Sequence, residues 1–207
     1  HVLSRRQRQM CIRDSLWTTI DDKLMYTKLL DTDMCKQYTD ADANLARDPY
    51  TGWSYASNMH FQYGNLVHWE TLRVQYVEIA TAVTEYVAIY QAAQRGMALQ
   101  NMAEVHDPLI AENPILIRTD ATTAEAMCSK PTLTWKLRHL RCRYFAVRDW
   151  VSKHLVNINR VESKFNTSDI GTKPLDFATH FRLRSLLLSV SSKSPRPKVR
   201  KTKPVPA

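Results

Sequence analysis

The feature that most restricts how this chain can fold is a change of period near residue 78. Before it, apolar and polar residues alternate; after it, apolar residues recur at helical spacing. The run "MCKQYTDADA" (34–43) reads as a strand, and "DPYTG" (48–52) carries Pro and Gly where a turn needs them. The run "WSYASNMHFQYGNLVHWETLR" (53–73) alternates on both sides of Gly64–Asn65 and reads as a hairpin. From Val77 to Val105, apolar residues at 79, 83, 87, 90, 93 and 97 predict one long helix rich in Ala and Gln.

Strands then alternate with helices. The prolines of "HDPLIAENP" (106–114) break the long helix, and "ILIRTDA" (115–121) reads as a buried strand ending in an aspartate. The run "TTAEAMCSK" (122–130) opens with threonine caps and predicts a short helix. In "LTWKLRHLRCRYFAVRDWVSKH" (133–154), Leu133, Leu137, Leu140, Tyr144, Val147 and Val151 share one helical face. "LVNINRVES" (155–163) predicts a fifth strand, and "TSDIGTKPLDFATHFRLRSLLLSV" (167–190) a final helix interrupted at Gly171–Pro174. Hairpin-joined strands followed by strands separated by helices predict an α/β fold. Its mixed five-stranded sheet carries helices on both faces.

The ends differ from this middle. Residues 1–15 carry Arg5, Arg6, Arg8 and Arg13 against Asp14; residues 189–207 carry six cations and no acid. These ends account for the whole net charge of +9, so the basic pI describes the termini rather than the domain. The chain starts at His rather than Met and reads as a fragment or processed piece of something longer. "RQMCIRDS" near its start resembles translated adapter sequence. The expected organisation is an unstructured or artefactual segment with a connecting remnant (1–23), one domain (24–188) and a disordered basic tail (189–207). The four cysteines, at 11, 35, 128 and 142, have no zinc spacing and read as reduced thiols. No apolar run reaches the ~18–20 residues that span a bilayer.

Carboxylates punctuate this order. Asp40 lies in the middle of the first strand, where aspartate is disfavoured. Glu85 lies on the long helix, Asp120 ends the fourth strand and Asp169 opens the last helical segment. Taken singly, each has an ordinary reading: a polar edge strand for Asp40 and Asp42, a solvated helix face for Glu85, a turn for Asp120, an N-cap for Asp169. Lys136, Arg138, Arg141, Arg143 and Arg148 form a basic stripe with only Asp149 against it. That stripe reads equally as a phosphate-binding surface or as a solvated helix face.

In order, "YTDADA", "RDPYTGWS", "VHWETLR", "TEYVAIYQAA", "IRTDATTAEAM" and "VRDWVSKHLVNINRVESKFNTSDIGTKPL" resemble the ribonuclease H domain of Ty1/copia-type retrotransposon polyproteins over residues 24–188. The resemblance implies a ribonuclease H-like fold and cleavage of the RNA strand of RNA/DNA hybrids during reverse transcription. It implies two Mg²⁺ ions, with Mn²⁺ as the alternative, held by Asp40, Glu85, Asp120 and Asp169 as catalytic residues. Within it, Asp40 holds both ions; Asp42 reads as non-catalytic, and its place on Asp40's strand face by period two allows at most a supporting role. Lys136, Arg138, Arg141, Arg143 and Arg148 contact the hybrid. The implied partners are the hybrid and the reverse transcriptase and integrase regions of the parent polyprotein. The implied setting is a cytoplasmic virus-like particle or the nucleus, without secretion or membrane insertion. The chain departs from the pattern at Ala43–Asn44, Val83, "TGWSYAS" and Gly171. A decayed, inactive nucleic-acid-binding module is the alternative function, and another nuclease or an integrase of the same broad fold is a third.

Overall fold

Alternating residues from Gln37 to Asn44 give β1 its two faces, and both are covered in the computed structural model, which describes residues 22–26, 36–45, 50–74, 80–129 and 141–188. The described part of Tyr26–Leu187 is one compact unit. β1 pairs antiparallel with β2 (Tyr55–Gln62), and β2 with β3 (Asn65–Arg73). The β2–β3 turn is Tyr63–Gly64, one residue earlier than the sequence suggested; both residues have positive φ, as a tight two-residue hairpin requires. β4 (Ile115–Thr119) and β5 (Val156–Arg160) join the other edge in parallel. The sheet order is β3-β2-β1-β4-β5.

One face of this sheet buries the core. Helix α1 (Thr81–Glu104) presents Val83, Tyr86, Val87, Ile89, Ala92 and Ala93 to it, a broader face than the apolar spacing implied. α1 has no side-chain N-cap, so its stability rests on this packing. Small residues bring it close to the sheet: a Cβ at Gly96 would lie 3.1 Å from Ile115 Cγ2. Helices α2 (Thr122–Ser129) and α3 (Arg141–Ser152) add Ala124, Cys128, Tyr144 and Val147 to the same core. Tyr90 and Trp150 stack at the α1–α3 seam.

The other face is covered by a shorter structure. A single-turn helix, α4 (Asp169–Thr172), packs on β1, β2 and β3, and α5 (Phe177–Leu187) follows it. The helices are interrupted at 173–176, so Gly171 and Thr172 of the expected interruption lie inside α4. Asp176 caps α5, accepting from the backbone N–H groups of Ala178 and Thr179. Trp69 is 55% exposed on the edge strand β3. Residues 1–21 of the expected segment 1–23, the expected tail 189–207, and Lys136 and Arg138 of the basic stripe lie outside the described residues. Among the described residues, no helix is long and apolar enough to cross a membrane.

Candidate active site

Strand register decides which acid meets which. Asp40 lies opposite Arg118 in the parallel β1–β4 pair. Two residues further along each strand, Asp42 comes level with Asp120. α1 arrives at the same level from the other direction. Gln37 Nε2 donates to Gly96 O at 2.7 Å, pinning the far part of α1 to the start of β1. From that pin, eleven residues of helix back to Glu85 rise about 16 Å at ~1.5 Å each. Five residues of strand forward to Asp42 cover about 16 Å at ~3.3 Å each. Glu85 comes near this end of the sheet, where the charges of Asp42 and Asp120 act on it.

The result is an acidic cluster at the C-terminal ends of the two central strands. One carboxylate oxygen each from Asp42, Asp120 and Asp169 lie within 4.8 Å of one another. Asp42 and Asp169 are buried; Asp120 is partly so. Burial, then the charges of Asp42 and Asp120, push the Glu85 carboxyl up to about 7, against the opposing pull of Lys173. Burial likewise raises Asp42 to about 6, with Asp169 and Asp120 adding to it and the Thr172 hydrogen bond and Lys173 opposing it. Asp169 is raised by burial in spite of its bond to Lys173. Like charges packed this closely call for cations.

Asp40, an expected ligand, is not among these converging carboxylates. Asp40, fully buried, is spent elsewhere: Arg118 Nε donates to its Oδ1 at 2.6 Å. Its Oδ2 accepts from Thr167 N at 3.1 Å and Thr167 Oγ1 at 2.6 Å. Ser168 Oγ donates to Asp40 O at 2.5 Å, and Asn166 Nδ2 to Ala41 O at 3.3 Å. Asp40 thus ties the segment before Asp169 to β1. The aspartate of the D-x-D pair that joins the carboxylate cluster is Asp42. Asp40 and Asp42 share a strand face, but only Asp42 reaches the level of the strand end where Asp120 stands.

The "SDIGTKP" segment supplies contacts that motif reading did not assign. Thr172 Oγ1 donates to Asp42 Oδ2. Lys173 Nζ lies 2.7 Å from Asp169 Oδ1 and 3.3 Å from Asp42 Oδ1. A Cβ at Gly171 would lie 2.2 Å from Ser57 Oγ and 2.6 Å from Thr71 Oγ1, so only glycine lets α4 sit this low on the sheet. Asn44, at a departure from the family pattern, donates to Thr172 O at 3.2 Å. Asp120 accepts from Ser163 Oγ at 2.7 Å and Asn166 Nδ2 at 3.4 Å, which orients it toward the cluster. Asp169 is not an N-cap; its carboxylate bonds Lys173 instead.

The donor set suits a hard divalent cation. It is all carboxylate oxygen, which Mg²⁺ and Mn²⁺ prefer. Opposite ligands of an octahedral Mg²⁺ are about 4.2 Å apart. The three oxygens lie within 4.8 Å of one another, and since at most one pair of three can be opposite, the others would draw in to about 3.0 Å to share one ion. Of the basic stripe, Arg143 lies over the Tyr90 ring, 5.7 Å from its centroid, and Arg148 over Tyr144 at 5.5 Å. Both residues are partly buried along α3.

A mixed sheet in this order, with an acidic cluster at the ends of β1 and β4, defines a ribonuclease H-like fold. No protein-family model matches the chain. Among solved structures, it is similar to the N-terminal RNase H domain of a Mycobacterium tuberculosis protein, at 12% identity and a TM-score of 0.49, over 73% of this chain and 97% of that one. It is similar to LC11-RNase H1 in complex with an RNA/DNA hybrid, at 11% identity and 0.45, over 63% and 88%. A foamy viral protease–reverse transcriptase in complex with dsDNA matches at 13% identity and 0.47, over 77% and 96%.

Proposed function

We propose that this chain is a divalent-metal-dependent ribonuclease H that cuts the RNA strand of RNA/DNA hybrids. We place it in the polyprotein of a Ty1/copia-type retrotransposon, alongside reverse transcriptase and integrase regions. The convergence of Asp42, Asp120 and Asp169, with the Glu85 charge acting on them, carries the reading. The ordered motifs from "YTDADA" to "SDIGTKPL" favour the retrotransposon origin.

Asp42, Glu85, Asp120 and Asp169 would hold the ions. When bound, a pair of divalent ions supplies an activated water and stabilises the leaving 3′ oxygen. Asp40 contributes by holding the Asn166–Ser168 segment, and Thr172 by fixing the Asp42 carboxylate. Arg143 and Arg148, with Lys136, Arg138 and Arg141, are the proposed contacts to the hybrid backbone.

The test is cleavage of labelled RNA/DNA hybrid, duplex DNA and single strands by the purified chain with Mg²⁺. RNA-strand cleavage of the hybrid alone, lost in Asp42→Asn, is the expected result. Tight hybrid binding without cleavage would favour the decayed module, and cleavage of duplex DNA another nuclease of the same fold.

A further inference from the structure

Lys173 stands among the clustered acids as a positive charge. The cluster gathers several acids, and Arg118, on the adjoining part of β4, is committed to Asp40. Asp120 is met by neutral donors, Ser163 and Asn166. Lys173 bridges Asp42 and Asp169, two of the three converging carboxylates, from a side chain that is 34% exposed.

Its placement is built by the local sequence. Lys173 lies four residues after Asp169, and its backbone N–H donates to Asp169 O at 3.0 Å, closing the single turn of α4. Pro174 follows and biases Lys173 to the extended backbone it adopts, φ −119° and ψ 144°. Gly171 lets the turn lie against Ser57 and Thr71, which sets the height from which Lys173 reaches both acids.

An ammonium and a divalent ion compete for the same oxygens. Mg²⁺ sits about 2.1 Å from each ligand oxygen. An ammonium 2.7 Å from Asp169 Oδ1 would then face a doubly charged ion across one oxygen atom. Lysine can yield, because its charge rides on a flexible four-carbon stem with no fixed fork geometry. Resting on the metal-binding role proposed above, we propose that Lys173 is a displaceable internal cation. It keeps Asp42 and Asp169 together while the site is empty and leaves them when a divalent ion binds. Lys173 thereby sets how much divalent ion the site requires.

The test uses the full 207-residue chain. The ¹⁵Nζ resonance of Lys173, assigned by its loss in Lys173→Arg, is followed through a Mg²⁺ titration, with the carboxyl ¹³C signals of Asp42, Asp120 and Asp169 in parallel. Calorimetry with Mg²⁺ compares wild type with Lys173→Met. The expected result is that the carboxyl signals and the Lys173 signal move together. Lys173→Met should bind Mg²⁺ about tenfold more tightly, because a competing unit charge has gone. Its metal-free melting temperature should fall, while its Mg²⁺-saturated value stays close to wild type. Carboxyl signals that shift while Lys173 stays fixed would overturn the proposal and leave the metal site standing. No shift and no heat in the wild type would overturn both.

Discussion

Replacing Asp40 by Asn separates two roles that the D-x-D spacing confuses. If Asp40 were a metal ligand, removing its charge would relieve repulsion in the metal-free protein and abolish metal binding. In the structure Asp40 is instead fully buried against Arg118, whose side chain is 28% exposed. Truncating one partner of a buried ion pair costs roughly 3–5 kcal/mol. Asn keeps the volume and can still accept from Thr167, but turns an amide toward the Arg118 guanidinium. Partial access of Arg118 to water argues for the lower end, about 3 kcal/mol. For a domain of this size that is a fall in Tm of about 6–12 °C. Thermal and urea unfolding with EDTA present measure it, and Arg118→Gln with the double mutant closes a cycle. The coupling should be favourable, and Mg²⁺ affinity should weaken without vanishing as Asn166–Ser168 loosens. A stability change below about 1 kcal/mol, with Mg²⁺ binding abolished, would refute the reasoning and return Asp40 to the ligand set.

Three further outcomes follow from the site. Asp42→Asn should leave metal-free stability unchanged or raise it, because a buried carboxylate with raised pKa is neutralised, while Mg²⁺ binding by calorimetry is lost. The folded pKa values of Asp42 and Glu85, about 6 and about 7, lie above those of the unfolded chain, about 4. The fold therefore binds their protons more tightly. Their stabilising contribution is complete below pH ~4 and is lost as pH rises through 6 to 7. With EDTA, the Tm difference between wild type and Glu85→Gln should move against the wild type over that window. Saturating Mg²⁺ should cancel the trend. Gly171→Ala drives a Cβ into Ser57 and Thr71 and should cost about 1–3 kcal/mol in unfolding experiments. Adding Ser57→Ala should restore part of it.

The period change near residue 78 carried the fold, because strand and helix periods write themselves into apolar spacing. The sheet's two parallel additions were legible for the same reason. Helix α3 was foreseen to begin earlier, but residues 131–140 are outside the described part. Asp120 and Asp169 of the clustered carboxylates could be named from motif order, as could Glu85, on which the charges of Asp42 and Asp120 act. Asp42's place in the cluster was not legible, because a period of two cannot distinguish residues on one strand face. Only the register against β4 and the pin from Gln37 to Gly96 fix the level along the strand. The position of Asp120 at its strand end was the available clue, since a partner on β1 must also lie near an end. Lys173 and Thr172 were hidden in a motif matched as a string. Their roles depend on how low α4 sits, which Gly171 permits through a contact with Ser57 more than a hundred residues away.

The most direct measurement is a crystal structure of the chain grown with Mn²⁺, with anomalous scattering used to locate the ion. The account predicts an anomalous peak bonded to oxygens of Asp42, Asp120 and Asp169, near Glu85, with Asp40 still bonded to Arg118 and Thr167. A peak on Asp40, or no peak among these acids at saturating Mn²⁺, would contradict it.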